Sequence, residues 1–195
     1  MCCRYYMDVE SNEAVLDLPG LSVREAGPLP VGDIHPSDKA LILSGAGGGA
    51  IRSSCMRWGF PGPSGKGLLI NARSETALQK PSFSESLLER RCIIPAAGFY
   101  EWDSLRQQVT FTRPSGGLLF MAGIYRFTEE AFRFVILTTG ANASMAPVHD
   151  RMPLLLEAGE IGSWLEDREQ LTAFLKKEPA LLDRQYAFRQ LTLDL

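Results

Sequence analysis

Residues 39–60 read KALILSGAGGGAIRSSCMRWGF. Two runs of strand character, 39–43 and 51–60, flank Ser44-Gly-Ala-Gly-Gly-Gly, a connection with almost no side chains to resist a reversal. Such runs on either side of a glycine cluster predict a β-hairpin. The glycines also raise the prospect of a phosphate-binding loop, but that device needs Gly-Lys-Ser/Thr leading into a helix. Here a strand follows, and the nearby Gly65-Lys66-Gly67 lacks both the hydroxyl and the upstream glycine spacing. The stretch is read as part of a sheet.

Working outward, the same criteria predict strands at 68–72, 92–100, 108–113, 118–127, 132–139, 153–156 and 186–193. Helices are fewer. Ser82 with Glu85 has the form of a capping box for a helix through Arg90, and Asp167 with Gln170 repeats it for a helix ending near Lys177, ahead of Pro179. Residues 160–165 add a turn or two. Many strands without a regular β-α-β alternation indicate an α+β fold, a mostly antiparallel, barrel-like sheet with a few flanking helices. The chain has 195 residues, 45% of them hydrophobic, enough for one sizeable core and short for two, so a single domain is expected over 1–195.

No apolar run approaches the roughly 18 residues of a membrane span. Asp8, Glu10 and Glu13 arrive too early for a signal peptide, and a cytoplasmic protein is expected. Cys2, Cys3, Cys55 and Cys92 form no C-x-x-C pair, and adjacent cysteines rarely close an unstrained disulfide, so neither a structural zinc site nor a disulfide framework is expected. Cys55 and Cys92 lie in or at strands and read as small core hydrophobes. The formal charge of -3 argues against coating nucleic acid by bulk positive charge, while leaving room for a local arginine cluster.

Chemistry concentrates in four stretches. The first is the start of the chain, MCCRYYM. The second is Asn71-Ala-Arg-Ser-Glu-Thr76, where an apolar run delivers an amide, a guanidinium and hydroxyls to one strand end; Asn71 and Ser74 could equally cap a turn there. The third is Pro95-Ala-Ala-Gly-Phe-Tyr-Glu-Trp102. A carboxyl at Glu101, in apolar company, favours its protonated form and suits general acid–base work, the alternative being an edge glutamate facing water. The fourth is Val148-His-Asp-Arg-Met-Pro153, whose His149 is a candidate proton donor among charged neighbours. His35, beside Pro36, has no such company and reads as structural or exposed.

A small residue at position 2 permits removal of Met1, and Cys2 would then carry an amine and a β-thiol on one residue. The amine, with an ordinary pKa of roughly 7.7–8.0, can attack an aldehyde to give an imine, on which the thiol closes to a thiazolidine. Alternatively the thiol could attack an amide with the amine as its base. Residue chemistry alone leaves both open.

Taken in order, these stretches closely resemble the SRAP family, the SOS-response-associated peptidase-like proteins whose members crosslink to abasic DNA. The matching pieces are Met1-Cys2-x-Arg4, Trp58-Gly59-Phe60, Asn71 to Thr76, Pro95 to Trp102, Ala122-Gly123-Ile124-Tyr125, and Leu137-Thr138-Thr139 running to His149-Asp150-Arg151-Met152-Pro153. They span nearly the whole chain. The resemblance implies a monomer that binds single-stranded DNA, or a single-strand/double-strand junction, containing an abasic site, with no metal, no cofactor and no membrane, and that is nucleoid-associated when on DNA. Cys2 would attach covalently to the sugar aldehyde, Asn71 would hold the Cys2 terminus or the sugar, Glu101 would shuttle protons, and His149 would assist ring opening or release of the leaving group. Arg4, Arg73 and Arg151 would contact phosphates, and Trp58 and Phe60 would offer surface where bases unstack. The peptidase label refers mainly to exposing Cys2. Two rivals are an N-terminal cysteine amidase acting in trans and a non-catalytic DNA-binding module.

Two departures stand out. Cys3 occupies a position where the family usually has Gly, setting a thiol beside the reactive terminus. The segment between Trp58 and Asn71 is also compact, so the two aromatics are expected to sit differently from the family's DNA-contacting loop.

Overall fold

The computed structural model of this chain describes residues 3–24, 29–63, 65–114, 116–128 and 131–187. Lys39–Gly47 and Ala50–Trp58 form the expected hairpin, paired antiparallel from Lys39↔Arg57 to Gly47↔Ala50. Its turn is tight because Gly47, Gly48 and Gly49 adopt φ of 88°, 63° and 81°, a region side chains resist. The second strand is shorter than its sequence suggests. It ends at Trp58, and after Gly59 the chain enters a two-stranded ribbon, Phe60–Pro61 against Leu68–Leu69.

In the larger sheet the order is Arg151–Pro153, Phe132–Gly140, Leu119–Phe127, Arg91–Ala96, Lys39–Gly47, Ala50–Trp58, Leu21–Arg24. Phe132–Gly140 also pairs in parallel with Ala50–Trp58, at Arg133↔Arg57 and Phe134↔Trp58, so the pairing returns on itself. Two strands meet Phe132–Gly140 near its end. Asn71–Arg73 pairs in parallel from Ile136↔Asn71 to Thr138↔Arg73, and Arg151–Pro153 pairs antiparallel from Thr138↔Pro153 to Gly140↔Arg151. Arg73 and Pro153, 80 residues apart in sequence, thereby meet at Thr138.

The smaller sheet is antiparallel throughout, in the order Asp183–Tyr186, Gln108–Thr112, Gly98–Trp102, Tyr5–Met7, Gly32–Ile34. The strand expected over 92–100 divides at Ala97, its first half in the larger sheet and its second in the smaller. Only glycine fits at the switch: a Cβ on Gly98 would lie 2.7 Å from the Phe111 carbonyl oxygen and 2.8 Å from the Tyr6 ring. Tyr5, Trp58, Phe60, Phe99, Phe111 and Phe134 are all fully buried in one core. Burial of a side chain of this kind stabilises by roughly 1.5–3 kcal/mol.

The helices depart most from expectation. Val9–Leu16 is a helix capped by Asp8, whose carboxylate accepts from the Ser11 N–H at 2.8 Å. It has no continuous apolar stripe: Val15 is buried with the polar Ser11 and Asn12, while Val9 and Leu16 are exposed. The Ser82–Glu85 capping box does not form. That helix is Ser84–Glu89, begun at Phe83 with no side-chain cap, and Glu85 instead accepts from Arg90 at 2.8 Å. Asp167 does cap a turn, accepting from the N–H groups of Glu169 and Gln170, but the helix after it is only Leu171–Leu175. The final strand is Asp183–Tyr186, and most of the expected 186–193 lies outside the described residues. Among the described residues no helix is long and apolar enough to cross a membrane.

Candidate functional site

Tyr5–Met7 is an interior strand, paired with Gly98–Trp102 on one side and Gly32–Ile34 on the other. The Tyr100 N–H donates to the Arg4 carbonyl at 3.0 Å, extending the pairing toward the start of the chain. Carried one residue further, the register sets the half-buried Cys3 level with Glu101. Met1 and Cys2 lie outside the described residues. Alternation along Gly98–Trp102 turns Phe99 and Glu101 inward, and Glu101 is only 3% exposed. Tyr100 and Trp102 face the other way.

Arg4 sits over that outer face. Its guanidinium lies 4.7 Å from the Trp102 ring and 5.1 Å from the Tyr100 ring, and donates to Asp33 at 3.3 Å and to the Gln108 side-chain oxygen at 3.1 Å. The residue expected at a phosphate is thus held by protein groups. Burial, then the Asp33 charge, pushes the Tyr100 phenol up to about 12, so Tyr100 stays protonated and donates to Asp33 at 3.2 Å.

At the end of Phe132–Gly140, Arg151 makes a two-pronged contact with Glu75 at 2.5 and 2.9 Å and also donates to the Thr138 carbonyl at 2.7 Å. The Arg151 hydrogen bonds, chiefly, hold the Glu75 carboxyl below its ordinary range. The Arg151 backbone N–H donates to Nδ1 of His149 at 2.9 Å. Asp150 also lies 2.9 Å from that nitrogen, but the two contacts demand opposite protonation. The amide can only donate, whereas the Asp150 side chain is 87% exposed, so we assign Nδ1 as the acceptor and place the imidazole proton on Nε2. Arg73 is exposed at the start of the Ser74–Ala77 helix. Asn71 begins the strand that ends at Arg73.

Trp58 joins the two halves. Its ring is 5.3 Å from Tyr5 and lies stacked 6.2 Å from Phe134, while its indole N–H donates to the Ile70 carbonyl at 2.9 Å. It therefore ties the N-terminal strand to the residue before Asn71. This corrects the expectation that Trp58 and Phe60 offer unstacking surface. Both are fully buried, Trp58 in this clamp and Phe60 against Phe83 and beneath Arg126, because each closes the core at the end of the hairpin.

Asn71, Arg73, His149 and Arg151 are thus gathered at one strand end, Arg4 and Glu101 lie on opposite faces of the smaller sheet, and Trp58 connects the groups. Sequence reading missed Glu75 as the partner of Arg151 and Asp33 and Gln108 as the partners of Arg4. A carboxylate in the NARSET stretch was the available signal for Glu75, but only the intervening strand shows what it meets. Cys92 is fully buried, with its thiol pushed up by burial, whereas Cys55 is only half-buried and is not part of the core. His35 is exposed beside Asp38. Among the described residues no group of three or more His, Cys, Asp or Glu could hold a metal ion.

The class defined here is an α+β protein that threads the start of its chain through a sheet beside a buried glutamate, with a histidine and an Arg–Glu pair at a neighbouring strand end. The chain belongs to the SOS response associated peptidase (SRAP) family, whose sequence model matches residues 1–191. It is 35% identical over 159 residues to the abasic site processing protein YoqW of Bacillus subtilis, covering 72% of this chain and 71% of that one. With the abasic site processing protein YoaM of the same organism it shares 32% over 161 residues, covering 75% and 70%. A crystal structure of a Bordetella bronchiseptica protein superposes with a TM-score of 0.81 at 25% identity, covering 96% of this chain and all of that one.

Proposed function

We propose that this protein processes abasic sites in single-stranded DNA by attaching itself to them through Cys2 once Met1 has been removed. The N-terminal amine adds to the ring-opened sugar aldehyde and loses water to give an imine. The Cys2 thiol then adds across the C=N bond: sulfur bonds to carbon, the thiol proton passes to nitrogen, and a thiazolidine results. Glu101 moves protons in both steps, Asn71 holds the terminus or the sugar, and His149, with its proton on Nε2, assists ring opening or departure of the leaving group. Arg73 is the exposed phosphate contact, and Arg151 orders the histidine segment. The same residues would serve autoprocessing of the N-terminus. The protein works as a cytoplasmic, single-domain monomer.

One observation carries this reading. The chain's start enters as an interior strand, with Arg4 bonded to Tyr100 and the register setting Cys3 level with the buried Glu101, which supports a reaction at the chain's start that uses this carboxyl. Family membership and the relatives' names support the choice of abasic DNA as the partner. The test is to incubate Met1-free protein with single-stranded DNA carrying one abasic site and measure intact mass after denaturation. A species at the summed mass less one water is expected, and its absence defeats the proposal. Cys2→Ala should abolish the adduct, whereas hydrolysis of amides in trans, indifferent to DNA, would favour the amidase reading.

A further inference from the structure

A second feature lies at the opposite end of Phe132–Gly140 from the Arg151 cluster. The ends of Leu119–Phe127 and Phe132–Gly140, with Arg90 and the segment after Phe60, enclose a groove of about 810 Å³. Arg90, Arg126 and Arg133 line it, against a single described carboxylate, Glu85. Glu129 and Glu130, between the two strands in sequence, lie outside the described residues. Phe127 and Phe132, 63% and 48% exposed, meet edge to face at 5.0 Å on its wall. Exposed phenylalanines beside clustered guanidiniums are not explained by the core.

Glu85 engages Arg90 at 2.8 Å, and the three arginines still leave the groove's described charges in favour of an anion. Arg90 and Arg126 lie close enough for Arg90 to oppose the Arg126 charge, and Glu85 is the only group that offsets it among the described residues. Arg126 also lies 4.3 Å over the buried Phe60 ring, which fixes it in place without neutralising it. Arg133 is held by the Gly59 carbonyl at 3.1 Å. The Nε–H groups of Arg90 and Arg133 are buried and find no acceptor among the described residues. Backbone charge contacts combined with exposed rings are how proteins hold unpaired strands.

We infer that this groove is a second contact for single-stranded DNA, taking phosphates of the strand flanking the abasic site on its arginines and a base on Phe127 and Phe132. The inference rests on the function proposed above. Six residues of extended strand separate Phe132 from Thr138, roughly 20 Å, so the contact engages nucleotides well beyond the damaged one. The ribbon from Phe60 to Leu69 connects the two places: Pro61 and Gly65 line the groove, and Ile70 leads directly to Asn71.

The test compares two abasic oligonucleotides, one with only two nucleotides on either side of the lesion and one with twelve. It also measures binding of an undamaged twelve-nucleotide oligothymidylate across a salt series. The wild type should prefer the long abasic strand, and Phe127→Ala should erase most of that preference, about tenfold for one lost stacked base. Arg126→Gln should lower the salt slope for undamaged DNA by about 0.7, one phosphate contact on a single strand. Arg126→Lys, which keeps the charge, should restore it and so separates charge from folding. Unchanged length preference and unchanged salt slope in both neutral variants would overturn the inference. If the wild type forms no adduct at either length, the proposed function fails instead, and binding of undamaged DNA still decides the groove.

Discussion

Two arginines set the candidate site against the scaffold. Arg91 is 5% exposed and donates to carbonyls of Leu87 and Leu88 at 3.2 Å, Trp164 at 2.5 Å, Leu165 at 3.5 Å and Asp167 at 3.2 Å. It closes the C-terminal ends of Ser84–Glu89 and Ile161–Glu166, where helix carbonyls lack internal partners and the dipole favours a cation. Arg151 meets a carboxylate, and its own amide holds a histidine. A guanidinium satisfied by neutral carbonyls braces structure; one paired with a charge beside a titratable ring organises a site. The difference can be broken in each region separately.

The largest effect should come from Arg91→Met. It strips several helix-end carbonyls of their buried partner at once, and unsatisfied buried polar groups cost about 1–3 kcal/mol each. We expect a loss of roughly 3–5 kcal/mol, the range for breaking a buried charged contact, seen as a lower urea midpoint. Adduct formation per folded molecule should be preserved. A loss under 1 kcal/mol would show that water replaces the guanidinium easily.

Glu101→Gln should do the reverse. Gln keeps the shape and burial of the side chain but cannot trade a proton, so the crosslinking rate should fall by about 100-fold, the low end of what positioned acid–base groups contribute, with little change in the urea midpoint. Quenched-gel time courses read the rate. A variant that crosslinks at the wild-type rate removes Glu101 from the chemistry.

Trp58→Phe lies between the two regions, because the clamp serves both. It deletes the bond to the Ile70 carbonyl and some ring volume, for about 1–3 kcal/mol. Adduct formation should slow as Asn71 loses its support. If stability falls while the adduct rate does not, Trp58 is scaffold only.

These assignments show what the sequence could convey. The hairpin at 39–60 was legible because glycines and apolar runs act locally, and so were the strands that alternate or run apolar. Helix Val9–Leu16 was not, since its buried face is largely polar and Val15 is its one buried apolar residue. Asn71, Glu101 and His149 were legible as polar residues in short stretches, and the apolar company expected for Glu101 matches its burial. The burial of Trp58 and Phe60 was not, because an aromatic beside a loop looks the same in sequence whether it faces solvent or closes a core. The Arg151–Glu75 pair spans 76 residues and depends on a strand lying between them.

Glu75→Gln offers the smallest and most diagnostic effect. The Glu75 side chain is 47% exposed, so solvent screens the pair and its loss should cost under about 1 kcal/mol. Its carboxyl is lowered in the folded state relative to an ordinary value of about 4.3, so its contribution is present in full above that value and disappears as pH falls through the lower, folded value. The wild type should therefore lose stability as pH falls below about 4.3 more steeply than Glu75→Gln, and the two should converge at the acid end. The adduct rate, measured at neutral pH, should fall several-fold, because Arg151 would no longer hold the segment whose amide orders His149. A wild-type rate together with the predicted acid difference would mean that the Arg151–Glu75 pair stabilises the strand end without setting the histidine.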